Sequence, residues 1–183
     1  NPAPYTATND RERPNGALMM INAIELVGEH SGPAESAATI DGLPLLFIDS
    51  LAADPARISM LASGPVQHAF ALGLGLVLFD DLTLDGDGSQ TLILSGGITE
   101  QRIGRDITRA GGWTLDLRSP IDVSGTVTLQ SGQTLVTPPG RLDSAALAIG
   151  GTAGLVLDDP SAGPPGFIAD DAAVLIESPI DGP

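Results

Sequence analysis

The chain has 183 residues, 42% of them hydrophobic, which is enough to bury the core of one domain. Its 23 acidic and 8 basic residues give a net charge of −15, a surface that repels nucleic acid and anionic lipid. The absence of cysteine excludes disulfides, thiol catalysis and cysteine-ligated zinc. Because of the negative charge, we expect no nucleic-acid partner and no membrane insertion.

The distribution of proline and apolar residues predicts three regions. Residues 1–16 are polar, rich in proline and without periodicity, which is typical of an extended N-terminal arm. Residues 17–177 contain the aliphatic segments and are predicted to form a single β domain. Residues 178–183 are predicted to be a stiff C-terminal tail, because proline cannot extend a central strand.

The most regular segment of the chain is the apolar run from Phe70 to Phe79. Leucines alternate there with alanine, glycine or valine, and a period of two is the geometry of a strand. Two glycines in its interior argue against a helix. This run is predicted to be a buried β-strand whose inward side chains are Leu72, Leu74, Leu76 and Leu78.

The acidic turn at residues 85–89 predicts a β-hairpin. A loop of three or five residues would place Leu84 opposite Leu92 and Leu82 opposite Leu94, so that leucine meets leucine across the pair. A second hairpin is predicted around Gly132, with Val127 opposite Leu135.

Four carboxylates cluster in sequence around the first turn: Asp80, Asp81, Asp85 and Asp87. Calcium takes six to eight oxygen ligands, and an acidic, glycine-rich turn can supply several of them. The spacing is not that of an EF-hand, because Gly96 stands where a bidentate glutamate is required. Calcium binding and a solvated acidic turn are both retained as interpretations.

The segment from Gly97 to Gly112 is the best helix candidate in the chain. Arg102, Arg105 and Arg109 are three and four residues apart, which would place them on one face of a short helix. That face could bind an anion or an acidic surface of another subunit, since arginine offers a planar fork of donors. Pairing with aspartates of the same chain is the alternative.

Short aliphatic strands between turn signals predict an all-β fold, an antiparallel sandwich or barrel with that one short helix. A parallel β-helix is the alternative, because glycine-rich aliphatic strands also suit stacked rungs. No clean repeat period supports it.

No catalytic motif is present, and the two histidines, His30 and His68, have no neighbouring ligand set. We therefore expect a non-enzymatic, assembly-forming structural protein of a virion, fibre or cell surface, extracellular and homo-oligomeric. A β-module that binds carbohydrate or depends on calcium for adhesion is the first alternative. A hydrolase on a β scaffold is the second, because paired carboxylates need no local motif.

Overall fold

The computed structural model describes residues 6–9, 17–28, 38–49, 55–62, 69–87, 90–157, 168 and 172–176. All the regular elements among them are β-strands, so the prediction of an all-β protein is confirmed. Of the predicted arm, residues 6–9 are described and form a strand. The predicted tail, His30 and His68 lie outside the described residues.

The strands form three parallel ladders, and each circuit of the chain adds one strand to each ladder. The first ladder contains β1 (Thr6–Asn9), β4 (Ala38–Gly42), β7 (Ala69–Leu72), β10 (Thr91–Leu94), β13 (Thr114–Leu117), residues 131–136 of β15 (Thr126–Val136) and residues 152–157 of β17 (Ala146–Leu157).

The second ladder contains β2 (Met19–Ile21), β5 (Leu45–Phe47), β8 (Leu76–Leu78), β11 (Ile98–Glu100), β14 (Pro120–Asp122) and β16 (Arg141–Asp143), and Ile168 continues it by a single bridge. The third contains β3 (Ala23–Gly28), β6 (Ala56–Ala62), β9 (Leu82–Gly86), β12 (Ile107–Arg109), residues 126–129 of β15, residues 146–149 of β17, and β18 (Ala173–Ile176).

The fold is therefore a parallel β-solenoid, or β-helix, of stacked rungs, each with three sides. The alternative named from the sequence is confirmed and the antiparallel sandwich or barrel is wrong. Alternation shows which side chains face inward, but it does not show the direction of the neighbouring strand. Both architectures place alternate residues in a core, so the same pattern fits each of them.

The core is a column of inward side chains stacked from rung to rung. The four predicted leucines, Leu72, Leu74, Leu76 and Leu78, are all buried. The predicted single strand is two strands, β7 and β8, which meet at a corner at residues 73–75. Burying one such leucine contributes about 1.5–3 kcal/mol, and the column repeats this in every central rung.

Neither predicted hairpin forms. Strand β9 pairs with β6 and β12, while β10 pairs with β7 and β13, so Leu84 lies beside Ile58 rather than Leu92. Residues 126–136 form one continuous strand, β15, that changes ladder at an irregularity between Leu129 and Ser131. Gly132 does have a left-handed φ of 71°, but it turns a corner of the solenoid. Leucines that match across a turn do not distinguish a hairpin from two strands in successive rungs, because in both cases the leucine side chains point into the core.

The predicted helix is also wrong. Residues 97–112 contain β11 and β12, joined by an exposed bend at residues 101–104. Glycines with positive φ at both 104 and 111 break any helix there. The side chains of Ile107 and Arg109 point into the core with a period of two, and β12 continues the third ladder.

Candidate functional site

The predicted carboxylates Asp80 and Asp81 lie at the corner between the second and third ladders. Asp80 Oδ2 accepts a hydrogen bond of 3.0 Å from the backbone amide of Asp49. Asp81 Oδ1 accepts one of 3.1 Å from the amide of Asp106, and Asp106 Oδ1 accepts one of 2.7 Å from the amide of Thr126. Each bond joins neighbouring rungs and satisfies an amide that the ladders leave unpaired. These carboxylates thus stabilise the stacking of rungs.

Arg105 strengthens the same corner. Its guanidinium lies 3.5 Å from Asp81 and 4.0 Å from Asp80, and its backbone amide donates to Glu100. Partial burial acts to raise the pKa of Glu100, but hydrogen bonds from Ser124 and from the amide of Arg105 outweigh it and lower that pKa. Glu100 is therefore ionised at neutral pH and holds the bend between β11 and β12.

Asp85 and Asp87 lie at the other end of β9 from Asp80 and Asp81. The two ends of this strand are roughly 13 Å apart, at about 3.3 Å per residue. They line an open polar groove of about 430 Å³ together with Glu25, Arg57, Ser59, Leu61, Gly86 and Gly111. Arg57 pairs there with Glu25 at 3.4 Å. The structure thus divides the four predicted calcium ligands into two pairs. Within the described ranges, no three His, Asp or Glu side chains are grouped to hold one metal ion.

The three arginines predicted to share one face have three different environments. Arg102 is exposed and lies over the ring of Phe79, 5.9 Å from its centroid. The side chain of Arg105 is 18% exposed and pairs with the aspartates of its own chain. Arg109 is only 1% exposed and belongs to the core. They do not form one surface.

Arg109 is the most unusual side chain of the core. Its guanidinium donates to the carbonyl oxygens of Gly111 and Gln133, at 3.0 and 3.3 Å, and also to that of Trp113. It lies over the Trp113 ring at 4.4 Å from the centroid. Burial lowers the pKa of Arg109 to about 10, so the side chain remains charged at neutral pH. It thereby joins backbone carbonyl groups of two neighbouring rungs inside the core.

No described residue covers the first end of the solenoid. On their outer sides β1, β2 and β3 have no strand partner among the described residues. The lumen opens there into an apolar pocket of about 370 Å³, lined by Ala7, Thr8, Asn9, Met19, Ile21, Ala23, Ile24, Ile40, Leu45 and Leu74. Most of these are inward-facing side chains, so this pocket is core that the described rungs leave uncovered.

The last described rung, formed by residues 152–157, Ile168 and β18, likewise has no strand partner on its outer side among the described residues. In the ladders, Leu157 and Val174 continue the buried Val136 and Leu147 of the preceding rung, and Ile176 continues the partly buried Ile149. Even so, Leu157, Val174 and Ile176 are 44%, 50% and 70% exposed. Single exposed apolar residues are common on protein surfaces, but a contiguous exposed set of them marks an interaction surface. Both ends of the solenoid are candidate sites.

No protein family, curated protein or solved structure matches the chain. No helix in the described part of the chain has the length and apolar character needed to cross a membrane. The case for a function therefore depends on the site geometry alone.

Sequence reasoning missed both open ends and the buried arginine. The ends are visible only when strands are assigned to rungs, because the sequence of β18, AVLI, is as apolar as that of a buried strand. The core position of Arg109 does have a local signal. Ile107 and Arg109 are two residues apart, and a strand would place both on the inward face.

Proposed function

We propose that this is a non-enzymatic structural protein that assembles with copies of itself, as a subunit of a virion, fibre or cell surface. The observation that carries the proposal is the pair of solenoid ends that the described residues leave uncovered, where strand edges and inward apolar side chains are exposed together. Unpaired strand edges readily accept another strand, and natural proteins usually protect them. Solenoids need polar terminal caps to remain soluble as single chains.

The distribution of charge supports contact through the ends. Among the described residues of the first and last rungs, only Glu25 is charged, in a chain of which 17% is charged. Edges of monomeric sheets are normally protected by inward or flanking charges. The other acidic residues that the structure describes all lie in the rungs between these two, where their charges repel the sides of neighbouring assemblies.

This proposal predicts a native mass well above that of one chain. Light scattering on the full 183-residue chain should show a mass that rises with protein concentration, since end contacts follow mass action. A single species of 18.6 kDa at every concentration would contradict the proposal.

A second candidate function is a binding module for carbohydrate, or for adhesion that depends on calcium. The groove at Asp85 and Asp87 favours it, because it presents carboxylates, one guanidinium and the aliphatic side chain of Leu61 in one open cavity. Hydroxyl groups of a sugar can donate to carboxylates, and calcium can bridge the two.

Calcium binding at this groove predicts a higher melting temperature in millimolar calcium, because a ligand that binds only the folded state stabilises it. Exchange of both Asp85 and Asp87 for asparagine should abolish that increase. The same exchange at Asp122 and Asp143, on a different ladder, is the matched control and should preserve it. If calcium leaves the melting temperature of the wild type unchanged, the groove is a solvated acidic surface.

A further inference from the structure

The inward side chains of each ladder form a continuous stack from the first rung to the last. On the first ladder the stack is Ala7, Ile40, Leu72, Leu94, Leu117, Val136 and Leu157. On the second it is Met19, Leu45, Leu76, Ile98, Ile121, Leu142 and Ile168. On the third it is Ile24, Ile58, Leu84, Arg109, Leu129, Ile149 and Ile176.

The two ends of these stacks match. A second copy placed beyond the last rung in the same register would set its Ala7 on Leu157, its Met19 on Ile168 and its Ile24 on Ile176. All three residues of that second copy line the apolar pocket at the first end. The exposed inward side chains of one end would therefore cover the open lumen at the other.

The strand edges match in the same arrangement. Every strand pairing in the described solenoid is parallel, so the outer edge of the last rung offers the donors and acceptors that a following parallel rung would use. The outer edge of the first rung offers the complementary set. A copy stacked in register would extend all three ladders without a change of strand direction.

We propose that copies of this chain associate head to tail, with the edge formed by residues 152–157 and β18 of one copy against β1, β2 and β3 of the next. This inference rests on the proposed function and specifies which surface assembles. The contact joins two different surfaces, so it leaves a free end on each side and continues as a filament.

The register can be tested with a cysteine pair, since the chain contains no cysteine of its own. On the outward face of the third ladder Ala23, Arg57, Thr83, Thr108, Thr128, Ala148 and Leu175 stack in order. Head-to-tail stacking brings Leu175 of one copy beside Ala23 of the next. Within one copy the two are about 29 Å apart, at about 4.8 Å per rung, and a disulfide needs Cα atoms within about 7 Å.

The variant carrying both Ala23→Cys and Leu175→Cys should, on mild oxidation, give a ladder of covalent multimers on a non-reducing gel. The control carries Ile103→Cys with Leu175→Cys, because Ile103 is 82% exposed but lies on a mid-solenoid bend. It should remain mostly monomeric on the same gel.

A companion variant, with both Val174→Asp and Ile176→Asp, should reduce the native mass to that of one chain. Both side chains are at least half exposed, so the folded chain tolerates the change, and circular dichroism checks this. If the wild type assembles while the cysteine pair gives no ladder and the aspartates leave the mass unchanged, head-to-tail stacking is wrong and self-assembly stands. If the wild type is monomeric, the proposed function fails and this inference fails with it.

Discussion

Replacement of Arg109 by alanine should lower the free energy of unfolding by about 3 kcal/mol or more. The change leaves a cavity beside Trp113 and removes one donor from each of three backbone carbonyls, those of Gly111, Trp113 and Gln133. The first two each keep a second donor at 3.3 Å, the hydroxyl of Ser131 and the amide of Gln133. Each buried acceptor that loses its partner costs about 1–3 kcal/mol, and large-to-small changes in a core cost about 2–5 kcal/mol. Loss of a buried cation offsets part of this, because burial disfavours the charged form. Denaturant titration gives the value.

Arg102→Ala is the matched control for that measurement. Arg102 is exposed and contacts Phe79 through the ring face, a contact of about 0.5–1 kcal/mol at exposed sites. The control should therefore lose less than about 1 kcal/mol. Equal losses for the two variants would mean that Arg109 does not hold the carbonyl groups of the core.

Gly111→Ala should strongly destabilise the fold, although it adds only one methyl group. Gly111 has a φ of 93°, and a Cβ added there would overlap the carbonyl oxygen of Gly86 in the preceding rung and the indole of Trp113. Strain from the positive φ alone costs about 1–2 kcal/mol. The overlap can be relieved only if two stacked rungs move apart. We therefore expect the free energy of unfolding to fall by about 3 kcal/mol or more in total.

Gly104→Ala separates these two contributions. Gly104 has a similar φ of 81°, but an added Cβ there would meet no atom within 4 Å. Its loss should be about 1 kcal/mol, from backbone strain alone. If thermal unfolding shows the two variants to be equally stable, the rungs are not packed closely at Gly111.

The sequence predicts which side chains enter the core better than it predicts the fold around them. Alternation identified Leu72, Leu74, Leu76 and Leu78 as inward because a strand buries every second residue whatever its neighbours are. It could not identify those neighbours, since pairing partners in a solenoid are a whole rung apart. The length of a rung also varies, from 34 residues between Ala23 and Arg57 to 19 between Thr114 and Gln133. This variation conceals the repeat.

The site was less predictable than the core. Acidic residues close in sequence were expected to act together, but β9 places Asp81 and Asp87 at opposite ends of a strand. Arg102, Arg105 and Arg109 were grouped by a helical period that does not apply to β11 and β12. The partner of Asp81 is the amide of Asp106, 25 residues away, and no local pattern indicates a contact at that separation.

The native mass at low and at high salt distinguishes stacking through apolar ends from association through ion pairs. Two copies of charge −15 repel each other, and salt screens that repulsion without weakening contacts between apolar ends. Light scattering in about 0.05 M and 1 M sodium chloride should therefore show multimers whose mass is larger in high salt. A mass that falls in high salt would indicate assembly through exposed ion pairs, and a mass of one chain in both would exclude assembly. Either result would contradict stacking through the open ends of the solenoid.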